Sequence, residues 1–221
     1  MNYCRCTALP LAAALACFQA TTTAAQVARA TPAPKSRQHL ATAPRLWRDR
    51  LTGRRYPLPA VIGGRPVAFY LASRKVSPLA KALYTARFQP SDTDSTSQLL
   101  ALVTTNDSEI RPFYRWCLDF TISLSDGALG EYPGPPALAY ATKFPREFFA
   151  YMDKDASDQR YKRWVELMAY SGLNEYAQPP AVSTKAIEAK ITRNCPVCST
   201  QLARRIHRLA ADIVAVATRN D

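Results

Sequence analysis

Histidine, glycine and long apolar runs are all scarce in this sequence, and each scarcity removes a class of function. The 221 residues include two histidines, His39 and His207, and seven glycines. With so few imidazoles and only one closely spaced cysteine pair in the C-terminal part of the chain, a tetrahedral zinc site has half of its ligands. The one glycine pair, Gly63-Gly64, is too short for a phosphate-binding loop. We expect neither a metal nor another cofactor.

The one uninterrupted apolar run near the start extends from Ala8 to Phe18. It is shorter than the roughly 20 residues that cross a bilayer. With Arg5 before it and small polar residues after it, the run is typical of a secretory signal peptide. We expect residues 1–30 to be removed and the protein to be exported to the periplasm or envelope. The alternative is a lipobox-like motif that ends at Cys17, which would make Cys17 a lipidated first residue.

Acidic residues are nearly missing from residues 31–75, where ten Lys or Arg accompany one acid, Asp49. The Pro- and Ala-rich residues 31–44 are predicted to be a disordered tether, and residues 45–75 a basic N-terminal segment. The charged set of interest is Arg45, Arg48, Arg50, Arg54 and Arg55. This arm could contact anionic lipid, cell-wall polyanion or an acidic protein, or act only as a solvated spacer. We expect no nucleic acid, because export removes that partner.

Residues 76–221 are nearly neutral and predict a mainly α-helical single domain of about six or seven helices, as an irregular bundle or a short helical array. Ser77-Pro78 is a helix start signal. Leu202, Ile206, Leu209, Ile213 and Val216 form the clearest apolar stripe, in a helix predicted from Pro196 to Thr218. Before this region, Gly63-Gly64 could turn a small hairpin, whereas Pro66 favours the start of a helix. We expect the helix.

The mature chain would retain three cysteines, Cys117, Cys195 and Cys198. In an oxidising compartment, they predict one disulfide and one free thiol. Cys195 and Cys198 could join each other, or one of them could reach Cys117, and the sequence does not rank these two links. Cys195 is predicted near a helix N-terminus, which favours a thiolate and a redox role. However, the preceding segment is an amphipathic helix where a thioredoxin-like site has a buried strand, so we expect a structural disulfide.

The sequence gives little support to other catalytic or metal-binding arrangements. Cys117 lies on an apolar stripe, which disfavours a Cys117–His207 pair. The acidic run that begins at Asp153 lacks the glycine and the final acid of a calcium loop. Asp126 and Glu131 flank a glycine turn and are better explained as a turn former and a solvated acid. We expect no catalytic residues.

These observations favour an exported, non-enzymatic protein that binds another macromolecule, with an immunity or inhibitor protein as one form. Aromatic residues near loops support a binding surface, although core packing explains each of them too: Tyr132, Tyr140, Tyr151, Trp164, Tyr170 and Tyr176. The alternative is a thiol–disulfide oxidoreductase that uses Cys195 and Cys198.

Overall fold

Two short hairpins precede nine α-helices in the part of the chain that the structure describes. A computed structural model describes residues 45–125, 127–171 and 180–220; the predictions on the signal peptide, the tether and Cys17 fall outside these residues. The strands are β1 (Leu46–Arg48), β2 (Arg55–Pro57), β3 (Val61–Ile62) and β4 (Arg65–Pro66). The helices are α1 (Val67–Ala72), α2 (Pro78–Tyr84), α3 (Asp94–Ala101), α4 (Arg111–Leu124), α5 (Gly134–Lys143), α6 (Pro145–Met152), α7 (Gln159–Ser171), α8 (Pro180–Thr192) and α9 (Thr200–Asn220), with short 3₁₀ helices at Leu102–Thr104 and Gly127–Glu131. The mainly α, single-domain prediction is confirmed.

Local sequence signals explain several helix starts. The Ser77 hydroxyl accepts a hydrogen bond from the Leu79 N–H (3.2 Å), and Pro78 occupies the first position of α2, where its missing N–H costs nothing. In α9, three members of the predicted stripe, Ile206, Leu209 and Ile213, have no exposed surface. This face packs on α7 and α8, so periodicity located the helix and its buried side.

Helix α5 was not predicted, because its glycine and two prolines resemble a loop. These residues lie in the first turn of the helix, where proline is tolerated because the first N–H groups have no partner inside the helix. Beyond them, Ala137 and Ala141 are fully buried. Their small side chains suit the close packing of α5 against α7.

Both interpretations of the segment around Gly63-Gly64 are correct. Gly63 and Gly64 have φ angles of +58° and +82° and turn the β3–β4 hairpin. Pro66 then ends the hairpin and serves as the N-cap of α1. The Tyr70 hydroxyl of α1 donates a hydrogen bond of 3.0 Å to the Ile62 carbonyl, which ties helix and hairpin together.

The core is centred on α4, whose buried residues include Phe113, Cys117 and Leu118. The apolar stripe on which the sequence places Cys117 is confirmed, because Ile110, Phe113 and Cys117 are all buried. Among the helices of the described segments, none combines the length and apolar composition needed to cross a membrane.

Candidate functional site

The β1–β2 hairpin is held against the domain by its inward side chains. Trp47 and Tyr56 are paired across the two strands, and both rings contact Phe120 of α4 edge to face, at centroid distances of 5.0 and 5.7 Å. Trp47 is 1% exposed. Because side chains alternate between the two faces of a strand, the neighbours of Trp47 and Tyr56 point outwards.

The five arginines of the predicted basic arm are all exposed on this hairpin and at its ends: Arg45, Arg48, Arg50, Arg54 and Arg55. Arg48 and Arg55 are paired directly across the strands. Like charges in that position destabilise an antiparallel pair, and no carboxylate of the described residues lies within ion-pair distance of any of the five. An anionic partner would relieve this repulsion.

Asp49, the single acid of the hairpin, turns inward and shapes its tip. Its carboxylate accepts hydrogen bonds from the Leu51 N–H (2.9 Å), the Thr52 hydroxyl and the Gln89 side-chain amide (2.8 Å). These bonds, above all the one from Thr52, hold the pKa of Asp49 below its ordinary value. The carboxylate therefore stays ionised at neutral pH, and the five arginines leave the hairpin with a net charge of +4.

Leu51 is 85% exposed at the tip of this hairpin. The Gly53 N–H donates to the Asp49 carbonyl (3.0 Å), and Gly53 has a φ of +72°, so the turn is closed beneath Leu51. A cleft of about 480 Å³ adjoins the tip and is lined partly by Leu124 and Leu129. Leu51 does not stand out in the sequence, because a single leucine in a basic segment carries no periodic signal.

Cys195 and Cys198 form a disulfide with a Cα–Cα distance of 5.3 Å, the shorter of the two predicted links. The helix after them starts later than predicted, at Thr200 instead of Pro196. Pro196 and Val197 form a turn that the disulfide closes, and the Ser199 hydroxyl accepts from the Leu202 N–H (3.2 Å), so helical structure begins only beyond Ser199.

This later start corrects the prediction that places Cys195 near a helix N-terminus. Cys195 lies outside the first turn of α9 and lacks the helix-terminal donors that would favour a thiolate. Cys198 precedes the helix and is half-buried against the core, whereas Cys195 is 5% exposed. The more protected sulfur is thus the one that the sequence placed at the helix start.

Neither Cys117 nor His207 lies in an environment that suits the nucleophile–base pair that the sequence disfavours. Cys117 is fully buried, and burial raises the pKa of its thiol well above the ordinary value. His207 is exposed on α9, where its Nδ1 lies 2.9 Å from Glu188 Oε2. A protonated thiol with no exposure cannot serve as a nucleophile.

Most of the aromatic residues considered for a binding surface belong to the core. Tyr140 and Trp164 have no exposed surface, and Tyr132 and Tyr151 are half-buried and packed against the core. Tyr170 is 57% exposed, and Tyr176 lies outside the described residues. The aromatic set therefore does not form one surface.

A partly buried polar network joins three helices, α4, α6 and α7, and no local sequence pattern predicts it. Asp119 of α4 accepts hydrogen bonds from the Tyr151 hydroxyl (2.7 Å) and the Trp164 indole (2.8 Å). The guanidinium groups of Arg115 and Arg160 cover the Tyr151 ring at 4.2 and 4.5 Å from its centroid. Burial, more than any other cause, raises the pKa of Tyr151 well above its ordinary value. The network orients the packed helices and has no exposed reactive group.

The acidic run after α6 also has a structural role. Asp153 forms a bidentate ion pair with Arg205 of α9 (2.5 and 2.9 Å). Asp155 accepts hydrogen bonds from the Ser157 N–H (3.1 Å) and the Arg160 N–H (2.8 Å), and so caps the start of α7. Across residues 45–125, 127–171 and 180–220, no three acidic, histidine or cysteine side chains are grouped so as to hold a metal ion.

Glu131 is exposed in the second 3₁₀ helix, and its suggested carboxylate partner, Asp126, lies outside the described residues. No protein-family model, no curated protein and no solved structure matches this chain.

Proposed function

We propose that this protein is an exported, non-enzymatic binding protein that attaches to an anionic component of the cell envelope through the β1–β2 hairpin. The observation that carries the proposal is the arrangement of charge. Five exposed arginines have no carboxylate partner among the described residues, and the only acid of the hairpin is turned inward. Binding requires little ordering of the hairpin backbone, because Trp47 already holds the hairpin against the core.

The energetic expectation follows from the charge. An arginine near an anionic surface contributes about 1 kcal/mol, so neutralising a single one weakens binding about fivefold. Five neutralisations act together, and their effect decreases as added salt screens the surface. The contribution of Arg50 is partly structural, because its guanidinium group also donates to the Ala86 carbonyl (3.4 Å).

The proposal is tested with two variants of equal charge. The first changes the five hairpin arginines to glutamine. The control changes five other exposed cations to glutamine: Lys185, Lys190, Arg193, Arg204 and Arg208. We expect the hairpin variant to lose binding to an envelope fraction at low salt and the control variant to retain it, with thermal melts verifying that both are folded. Equal losses of binding in the two variants would mean that binding depends only on net charge, and would contradict a specific site on the hairpin.

Export is a separate part of the proposal and has its own measurement. Intact mass of the protein from the envelope fraction should correspond to a chain without residues 1–30, or to a lipidated chain that begins at Cys17. A chain that retains Met1 would contradict export by either route. An immunity or inhibitor protein is the form of the proposal in which the anionic partner is an acidic protein, and capture from envelope extract would identify that partner.

The competing proposal is a thiol–disulfide oxidoreductase. A groove of about 360 Å³ adjoins Cys195, between the disulfide turn and the start of α6. Against a redox cycle stand the burial of Cys195 and its position outside the first turn of α9. Reduction of an insulin-type disulfide by the isolated protein, abolished by Cys195→Ser, would establish the enzyme and displace the binding proposal.

A further inference from the structure

The outer face of the β1–β2 hairpin combines apolar and cationic side chains. Leu46 is 49% exposed on this face, beside the paired Arg48 and Arg55. Leu51 extends from the tip between Arg50 and Arg54. It is the most exposed of the large apolar residues in the described part of the chain. A soluble polyanion would pair with the arginines, but it has no apolar region that could bury an exposed leucine.

The exposure of Leu51 is built into the turn. The backbone N–H of Leu51 is bonded to the inward Asp49 carboxylate, and the Thr52 hydroxyl donates to the same carboxylate. The bond from the Leu51 N–H and the bond from the Gly53 N–H to the Asp49 carbonyl fix the backbone of the turn, while the Leu51 side chain points to solvent. Apolar groups beside guanidinium groups suit the boundary between headgroups and acyl chains, where the leucine is buried and the cations reach phosphates.

We infer that the anionic partner of the hairpin is a lipid bilayer and that Leu51 inserts into it at the level of the acyl chains. This inference rests on the proposed function and specifies the partner. Charge complementarity brings the hairpin to anionic lipid, and burial of Leu51 then adds an apolar contribution that salt does not screen. Binding should therefore keep a salt-resistant part that depends on this one side chain.

The test measures cosedimentation of the protein, isolated from the envelope fraction, with vesicles of phosphatidylcholine, alone or mixed with phosphatidylglycerol. Leu51→Ser should weaken binding to the anionic vesicles about tenfold, because an inserted leucine side chain is lost. Val197→Ser is the matched control, since Val197 is 78% exposed in the disulfide turn, outside the hairpin. It should bind as the parent does, and Leu51→Phe should restore most of the binding.

Binding to soluble polyphosphate distinguishes the anion-binding hairpin from the insertion of Leu51 into a bilayer. Leu51→Ser should leave polyphosphate binding unchanged. If Leu51→Ser binds anionic vesicles as tightly as the parent, insertion is wrong. If the parent binds polyphosphate but not anionic vesicles, the bilayer is wrong while the anion-binding hairpin stands. If it binds neither, nor any envelope component, the proposed function fails as well.

Discussion

The two adjacent glycines of the β3–β4 turn should respond very differently to alanine. Both have positive φ angles, +58° at Gly63 and +82° at Gly64. An L-residue in a left-handed conformation costs about 1 kcal/mol or slightly more. This cost is shared by Gly63→Ala and Gly64→Ala, and the difference between them depends on space alone.

The space differs sharply at the two positions. A Cβ on Gly63 would lie 2.5 Å from Pro112 Cβ and 3.3 Å from the Tyr70 hydroxyl, whereas one on Gly64 would meet nothing within 4 Å. Pro112 is a rigid ring in the first turn of α4, so it cannot rotate away as a flexible side chain would. Overpacking of this kind costs about 2 kcal/mol. We expect Gly64→Ala to lose about 1 kcal/mol and Gly63→Ala about 3 kcal/mol.

Urea unfolding followed by circular dichroism measures both losses at once. The dependence of the unfolding free energy on urea concentration should be the same in both variants, since neither alters the surface exposed on unfolding. The difference of about 2 kcal/mol corresponds to about 6 °C in melting temperature for a chain of this size. Equal losses would refute the argument, because they would mean that the β3–β4 hairpin does not rest on the start of α4.

Three further predictions concern other parts of the fold. Hydrogen bonds to Asp155, above all the one from the Ser157 hydroxyl, lower its pKa to about 2. The stability that the ionised Asp155 contributes is therefore present above its unfolded pKa and is lost as the pH falls towards 2. Asp155→Asn should flatten the decline of the urea midpoint between pH 5 and pH 2. Cys195→Ser should lose about 2 kcal/mol, the loop-entropy value for so short a closure, and a loss near zero would show that the bond is already open. Tyr140→Phe should lose about 2 kcal/mol in urea unfolding, because Arg115 is buried and donates to that hydroxyl at 3.0 Å, whereas Tyr170→Phe, at an exposed ring, should change little.

Much of the helical structure followed from the sequence because its signals are local. The apolar stripe of α9, from Leu202 to Val216, and the Ser77-Pro78 start depend on residues within a few turns of one another, and both appear in the structure. Local signals did not predict the structure where the same residues are compatible with two local conformations. The prolines of α5 suit a loop and a first helical turn equally well, and Pro196 suits a helix start until the disulfide closes the turn around it.

The candidate site also combines features that the sequence predicts with features that depend on tertiary contacts. The sequence by itself determined that five arginines and one acid lie close together near residue 50, because charge and spacing can be counted. Only the tertiary structure decided that Trp47 packs on Phe120, that Asp49 turns inward and that Leu51 faces solvent. The alternation of side chains along a strand defines two faces but does not say which face is buried. Here the buried face is the one that α4 covers, and this contact joins residues far apart in the chain.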